Sequence, residues 1–146
     1  MTVVAEFAAD SDRVWQLWAD PRQLERWWGP PAWPASFYRY SFEVGGNASY
    51  YMTGPDGTKA HGWWRFTEIQ APSTIALDDG FADENGEPSG EHGVIRMTAK
   101  IEPVGASSRM TLTSAFESAA QLEDMLAMGM EQGIREAVGQ IDAILA

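Results

Sequence analysis

The chain has 146 residues, 45% of them hydrophobic and 21% charged, which is the composition of one globular domain spanning residues 1–146 and excludes a disordered chain. It contains no cysteine, so disulfides, thiolate metal sites and cysteine nucleophiles are excluded together. A formal charge of −11 would repel a phosphate backbone or an anionic bilayer, so neither nucleic acid nor a membrane surface is an expected partner.

Val3 to Phe7 alternates like a short strand. Ser11 reads as the N-cap of a helix carrying Val14, Trp15, Leu17 and Trp18. Asp20-Pro21-Arg22-Gln23 opens a second helix: Asp20 caps it, Pro21 takes the first helical position and Gln23 completes a capping box. That helix carries Leu24, Trp27 and Trp28 and stops at Gly29-Pro30-Pro31. Trp27 shares the buried face of Leu24, which leaves Trp28 to border an opening.

Strands and turns fill the middle of the chain. Tyr38, Tyr40, Phe42 and Val44 alternate with polar residues, and Gly45-Gly46-Asn47 marks a turn. Strands follow at Ala48–Thr53, Lys59–Ile69, Thr74–Asp78, Val94–Ile101 and Arg109–Phe116. Gly62, Trp64 and Phe66 share one face of the long strand, and His61, Trp63 and Arg65 the other. Short consecutive strands joined by tight turns predict an antiparallel meander. Ser118 to Gln121 is a capping box, and the apolar spacing of Leu122, Leu126, Met130, Ile134, Val138, Ile141 and Leu145 predicts one long amphipathic helix behind it. Gly129 and Gly133 fall within that helix.

The fold expected is α+β: a curved antiparallel sheet of six to seven strands, two short helices after the first strand, and a long C-terminal helix across the sheet. The order of elements and the stretch Asp20-Pro21…Leu24…Trp27-Trp28-Gly29-Pro30 resemble the helix-grip superfamily of START domains, polyketide cyclases and Bet v 1 allergens. Within it, Gly62-Trp63-Trp64-Arg65, Asp79 to Gly86 and Met128-Gly129-Met130-Glu131 resemble the family named for the activator of the Hsp90 ATPase (AHSA1-like). The resemblance covers essentially the whole chain. It implies a cavity for an apolar ligand between sheet and long helix, and for eukaryotic members a chaperone partner.

Seven Trp, four Tyr, six Phe and seven Met in a chain of this size fit either a large core or the lining of such a cavity. Strand parity and the helix stripe nominate Tyr40, Phe42, Tyr51, Trp64, Phe66, Met97, Met110, Met125, Met130 and Ile134 as lining, with Trp28 and Phe81 at the mouth. No catalytic residue is assigned. His61 and His92 lack the partners of a nucleophilic triad. Asp78 and Asp79 are adjacent, so on a strand they face opposite ways. The acidic run from Asp78 to Glu91 fails as a calcium loop, because aligning on Gly86 puts Phe81 and His92 at the terminal ligand positions. Glu68 shares parity with Trp64 and Phe66, which makes it the one carboxylate to consider for an enzyme, although the strand's end is expected to let it reach solvent.

The expected function is therefore binding of a small hydrophobic or aromatic molecule, with no cofactor and no metal. The alternatives are a protein-interaction module using the acidic surface, or a cyclase or hydrolase using the same cavity. A monomer or homodimer in the cytoplasm is expected, because the N-terminus lacks the basic and apolar pattern of a signal peptide.

Overall fold

The computed structural model describes all residues, 1–146. The elements run β1 (Thr2–Phe7), α1 (Ser11–Ala19), α2 (Pro21–Leu24), β2 (Ala35–Tyr40), β3 (Asn47–Thr53), β4 (Lys59–Gln70), β5 (Thr74–Phe81), β6 (Val94–Val104), β7 (Ser107–Ala115), α3 (Ala119–Ala127), α4 (Met130–Val138) and α5 (Ile141–Leu145). The strands form one seven-stranded antiparallel sheet in the order β1-β7-β6-β5-β4-β3-β2. This is the helix-grip-like α+β architecture expected from the sequence.

The core lies on one face of the sheet. Alternation sends Val3 and Phe7 of β1, Trp64 and Phe66 of β4, Ile75 and Leu77 of β5, Ile95, Met97, Ala99 and Ile101 of β6, and Met110 and Leu112 of β7 into it. Val14, Trp15, Leu17 and Trp18 of α1 cover one end of that face. Single-letter spacing thus becomes packing: the helical face at intervals of three and four meets the strand face at intervals of two.

Three local expectations are corrected. The cap of α1 is Asp10, whose carboxylate accepts from Arg13 N at 2.8 Å, while Ser11 Oγ reaches Ser108 Oγ at 3.3 Å. β2 begins at Ala35, earlier than the alternation suggested, and an irregularity between Phe37 and Arg39 turns Phe37 inward and leaves Tyr38 exposed. The C-terminal helix is broken into three. Gly129 has φ 84°, the left-handed region that favours glycine, and ends α3 before α4 begins. The tract turns again at Gly139 and Gln140 before α5.

Candidate functional site: a methionine-lined cavity with a buried carboxylate

Between the sheet and the α3–α4 roof lies a cavity of about 250 Å³. Strands β3 to β6 form its floor, Trp27, Trp28 and Pro30 one wall, and Met125, Met130 and Ile134 the roof. Five methionines face it, Met52, Met97, Met125, Met128 and Met130. Unbranched thioethers repack around irregular shapes, which suits an adaptable apolar lining. Met128, 56% exposed beside Gly129, marks the mouth at the break in the roof.

The roof is fastened at both ends. Ser118 Oγ accepts from Gln121 N at 3.1 Å, the helix start read from the sequence. The buried Gln121 amide accepts from Glu117 N at 2.6 Å and donates to the carbonyls of His92 at 2.7 Å and Val94 at 3.2 Å. At the other end Gln140 Nε2 donates to the carbonyl of Gly29 at 2.7 Å.

One polar cluster interrupts the apolar lining. Tyr50 Oη donates to Asp79 Oδ1 at 3.1 Å. Burial among rings and methionines penalises the charged carboxylate and pushes the Asp79 pKa up to about 7, even though the Tyr50 hydroxyl and the Gly80 backbone favour the ionised form. Desolvation, reinforced by the adjacent carboxylate, holds the Tyr50 hydroxyl well above its ordinary value. The indole N–H groups of Trp28 and Trp64 have no hydrogen-bond partner. Trp27 differs: its Nε1 donates to the Leu17 carbonyl at 3.0 Å.

Of the residues nominated from the sequence, Trp28, Phe81, Met97, Met125, Met130 and Ile134 line this cavity. The other six lie elsewhere. Tyr40, Phe42 and Phe66 pack together at the far end of the sheet, where Tyr40 Oη bonds the Trp18 carbonyl and Phe42 meets Trp15 edge-on at 5.7 Å. Met110 sits under α1, its sulfur accepting from Trp18 Nε1 at 3.4 Å. Trp64 is fully buried behind Trp28, with ring centroids 4.7 Å apart. Tyr51 is on the opposite face of the sheet, with the Lys59 ammonium 4.4 Å above its ring. The pairing of Tyr50 with Gly62 decides that: a Cβ on Gly62 would lie 2.4 Å from the Tyr50 ring, so the ring fills space only glycine leaves open.

Trp28 is a wall and not the mouth, at 6% exposure against 0% for Trp27. Phe81 packs against the His92 ring at 5.3 Å on the cavity's edge. His61 borders the cavity along β4, but its ring packs on Tyr51 on the outer face of the sheet, and His92 is exposed. Glu68 is exposed outside the cavity, because the register of β4 on β5 shifts between Phe66 and Glu68 and reverses its side. Asp78 and Asp79 do face opposite ways: Asp78 meets Arg96 Nε at 3.5 Å outside, and Asp79 looks inward. Sequence reading missed Asp79, Tyr50 and Met52 as lining.

Residues 8–146 match the family model described as Activator of Hsp90 ATPase homolog 1-like protein. The chain belongs to that family. A solution structure of a protein from Arthrobacter aurescens is 61% identical, covering 99% of this chain and 84% of that one, with a TM-score of 0.95. A crystal structure of a protein from Mycobacterium smegmatis is 41% identical over 99% of this chain and 89% of that one, with a TM-score of 0.92. A protein from Staphylococcus epidermidis shares the fold at 22% identity, covering 97% of this chain and 86% of that one, with a TM-score of 0.85. No functionally curated protein matches. As a member of this Activator of Hsp90 ATPase homolog 1-like family, the chain has a START/Bet v 1-like ligand-binding fold. No helix is long and apolar enough to cross a membrane.

Proposed function

We propose that the chain binds a small, mostly apolar molecule in this cavity, with one polar end directed at Asp79 and Tyr50. The observation that carries the reading is an apolar, methionine-rich space of about 250 Å³ closing on a single half-buried carboxylate and a buried phenol. Ligand sites have this make-up: apolar walls for affinity and few polar groups for orientation. A cavity of ~150 Å³ holds benzene, so this one suits on the order of a dozen non-hydrogen atoms.

Gly133 provides the test. It borders the cavity, a Cβ there meets nothing within 4 Å, and its backbone is ordinary helix. Gly133→Leu therefore adds a branched side chain at the cavity border whose Cβ enters open space, and helix propensity gains ~1 kcal/mol from loss of the glycine. Binding of 2-phenylethanol, followed by shifts of the methionine methyl resonances, is expected in the parent chain and abolished in the stable variant. Unchanged methionine resonances in the parent would refute the reading. Asp79 also favours one second reading, catalysis in the same cavity, because it is a carboxylate set to exchange a proton near neutrality. That reading requires turnover of a bound molecule, lost in Asp79→Asn while binding persists.

A further inference from the structure

We propose that the ligand of this cavity carries a basic amine, and that its ammonium group pairs with Asp79. The inference rests on the binding reading above and names the chemical class of the molecule bound.

The cluster has one component missing. The one side-chain hydrogen bond that reaches the Asp79 carboxylate comes from a donor, the Tyr50 hydroxyl at 3.1 Å, and the Gly80 amide also favours the charged form. These donors favour the ionised carboxylate, and burial opposes it more strongly. None of them carries positive charge, and an anion taken out of water is stable only when paired. Each element packed on the site was searched for the cation. β3 offers Tyr50 and β4 offers His61, whose ring packs against Tyr51 at 5.8 Å. Arg65 of β4 and Arg96 of β6 lie in register with Asp78 on the outer face, where Arg96 pairs with it. The loop before β2 brings Trp27, Trp28 and Pro30, and the roof brings Met125, Met128, Met130 and Ile134, none of which titrates. The roof's own ions, Arg135 and Glu131, hold each other at 3.1 Å and do not border the cavity.

The protein thus places a carboxylate in an apolar cavity and supplies no counter-charge beside it. The surroundings suit an ammonium group on an apolar body. Trp27, Trp28, Tyr50 and Phe81 line the space around the carboxylate, and aromatic rings attract cations electrostatically. A chain of net charge −11 also draws cations toward the mouth. A neutral or anionic polar end would leave the ionised carboxylate unpaired.

Pairing predicts the sign of the proton linkage. A cation binds the ionised carboxylate, so affinity rises with pH until Asp79 is ionised in the free protein. With the free pKa at about 7, amine affinity should rise ~100-fold from pH 5 to pH 8, while the amine itself, titrating near ~10, stays charged. A ligand that accepts a hydrogen bond from the protonated acid shows the opposite slope.

The experiment compares 2-phenylethylamine, 2-phenylethanol and 3-phenylpropionate on the full chain and on Asp79→Asn. The expected result is amine affinity at least tenfold above that of the alcohol at pH 7.5, rising with pH, with proton release measured by calorimetry in buffers of different ionisation enthalpy. Asp79→Asn should remove the amine advantage and its pH dependence, with a urea midpoint at or above that of the parent showing that the variant is folded. An alcohol or propionate that binds as tightly as the amine, or an amine affinity flat or falling with pH, overturns the proposal and leaves the cavity reading standing. If none of the three binds, the cavity reading falls, and the amine proposal with it.

Discussion

Asp79→Asn should stabilise the chain, and more so as pH rises. In the folded protein burial lifts the Asp79 pKa from 3.8 to about 7. The unfolded chain releases this proton near 3.8, so between the two values the folded state holds more protons than the unfolded one. Stability from this group is therefore complete below the unfolded value and is lost as pH climbs through the folded value. The step is about three units at ~1.4 kcal/mol each, so full loss is on the order of 4 kcal/mol. Water entering at the mouth screens part of that, which brings the expectation to ~2–4 kcal/mol. For a chain of this size that is ~5–15 °C in melting midpoint. Asparagine keeps the shape and an acceptor for Tyr50 but never ionises. Urea unfolding of both proteins from pH 4.5 to pH 8.5 makes the comparison, since other titrations cancel in the difference. The variant should gain on the parent steadily through that range and level off above pH 8. Parallel curves, or a parent chain that gains on the variant as pH rises, would refute the account of Asp79 as a desolvated acid.

Four further substitutions probe the frame around the cavity. Gly62→Ala drives a Cβ into the Tyr50 ring and should cost roughly 1–3 kcal/mol by overpacking, read as a lower urea midpoint. Trp27→Phe should cost about 1 kcal/mol more than Trp28→Phe, because only the former abandons a hydrogen bond, to the Leu17 carbonyl; equal losses in denaturant unfolding would show that ring volume alone matters. Gln121→Leu removes the fastening of α3 to the His92 and Val94 carbonyls and should cost ~1–3 kcal/mol, with amide exchange accelerating first in α3.

The seven strands and their order of appearance were legible because alternation is strict where one face is buried, as in Ile95, Met97, Ala99 and Ile101. The site was half legible. Tyr50 and Tyr51 are both aromatic, so composition could not choose between them, and only pairing with the bare Gly62 does. Continuing the inward series Ile75, Leu77 by one more step reaches Asp79, a signal present in the sequence but hidden by ending that strand at Asp78. Glu68 reaches solvent as expected, but by a route parity cannot show: a register shift inside the strand reverses its side without any change in residue type. The division of the C-terminal helix rests on a backbone angle at Gly129 that its neighbouring apolar stripe does not encode.

That division has a kinetic consequence. Gln121 and Gln140 hold the two ends of the roof to the sheet side of the molecule, and the joint between them falls at Gly129, beside the exposed Met128. A beam continuous over the same span would have to break helical hydrogen bonds or lift off its supports to admit a molecule. A jointed arch flexes at its crown while its footings stay in place. Exchange of a guest then tracks the local stiffness of that crown, and substitutions at Gly129, which cost ~1–2 kcal/mol for the left-handed backbone, should change residence times as well as stability.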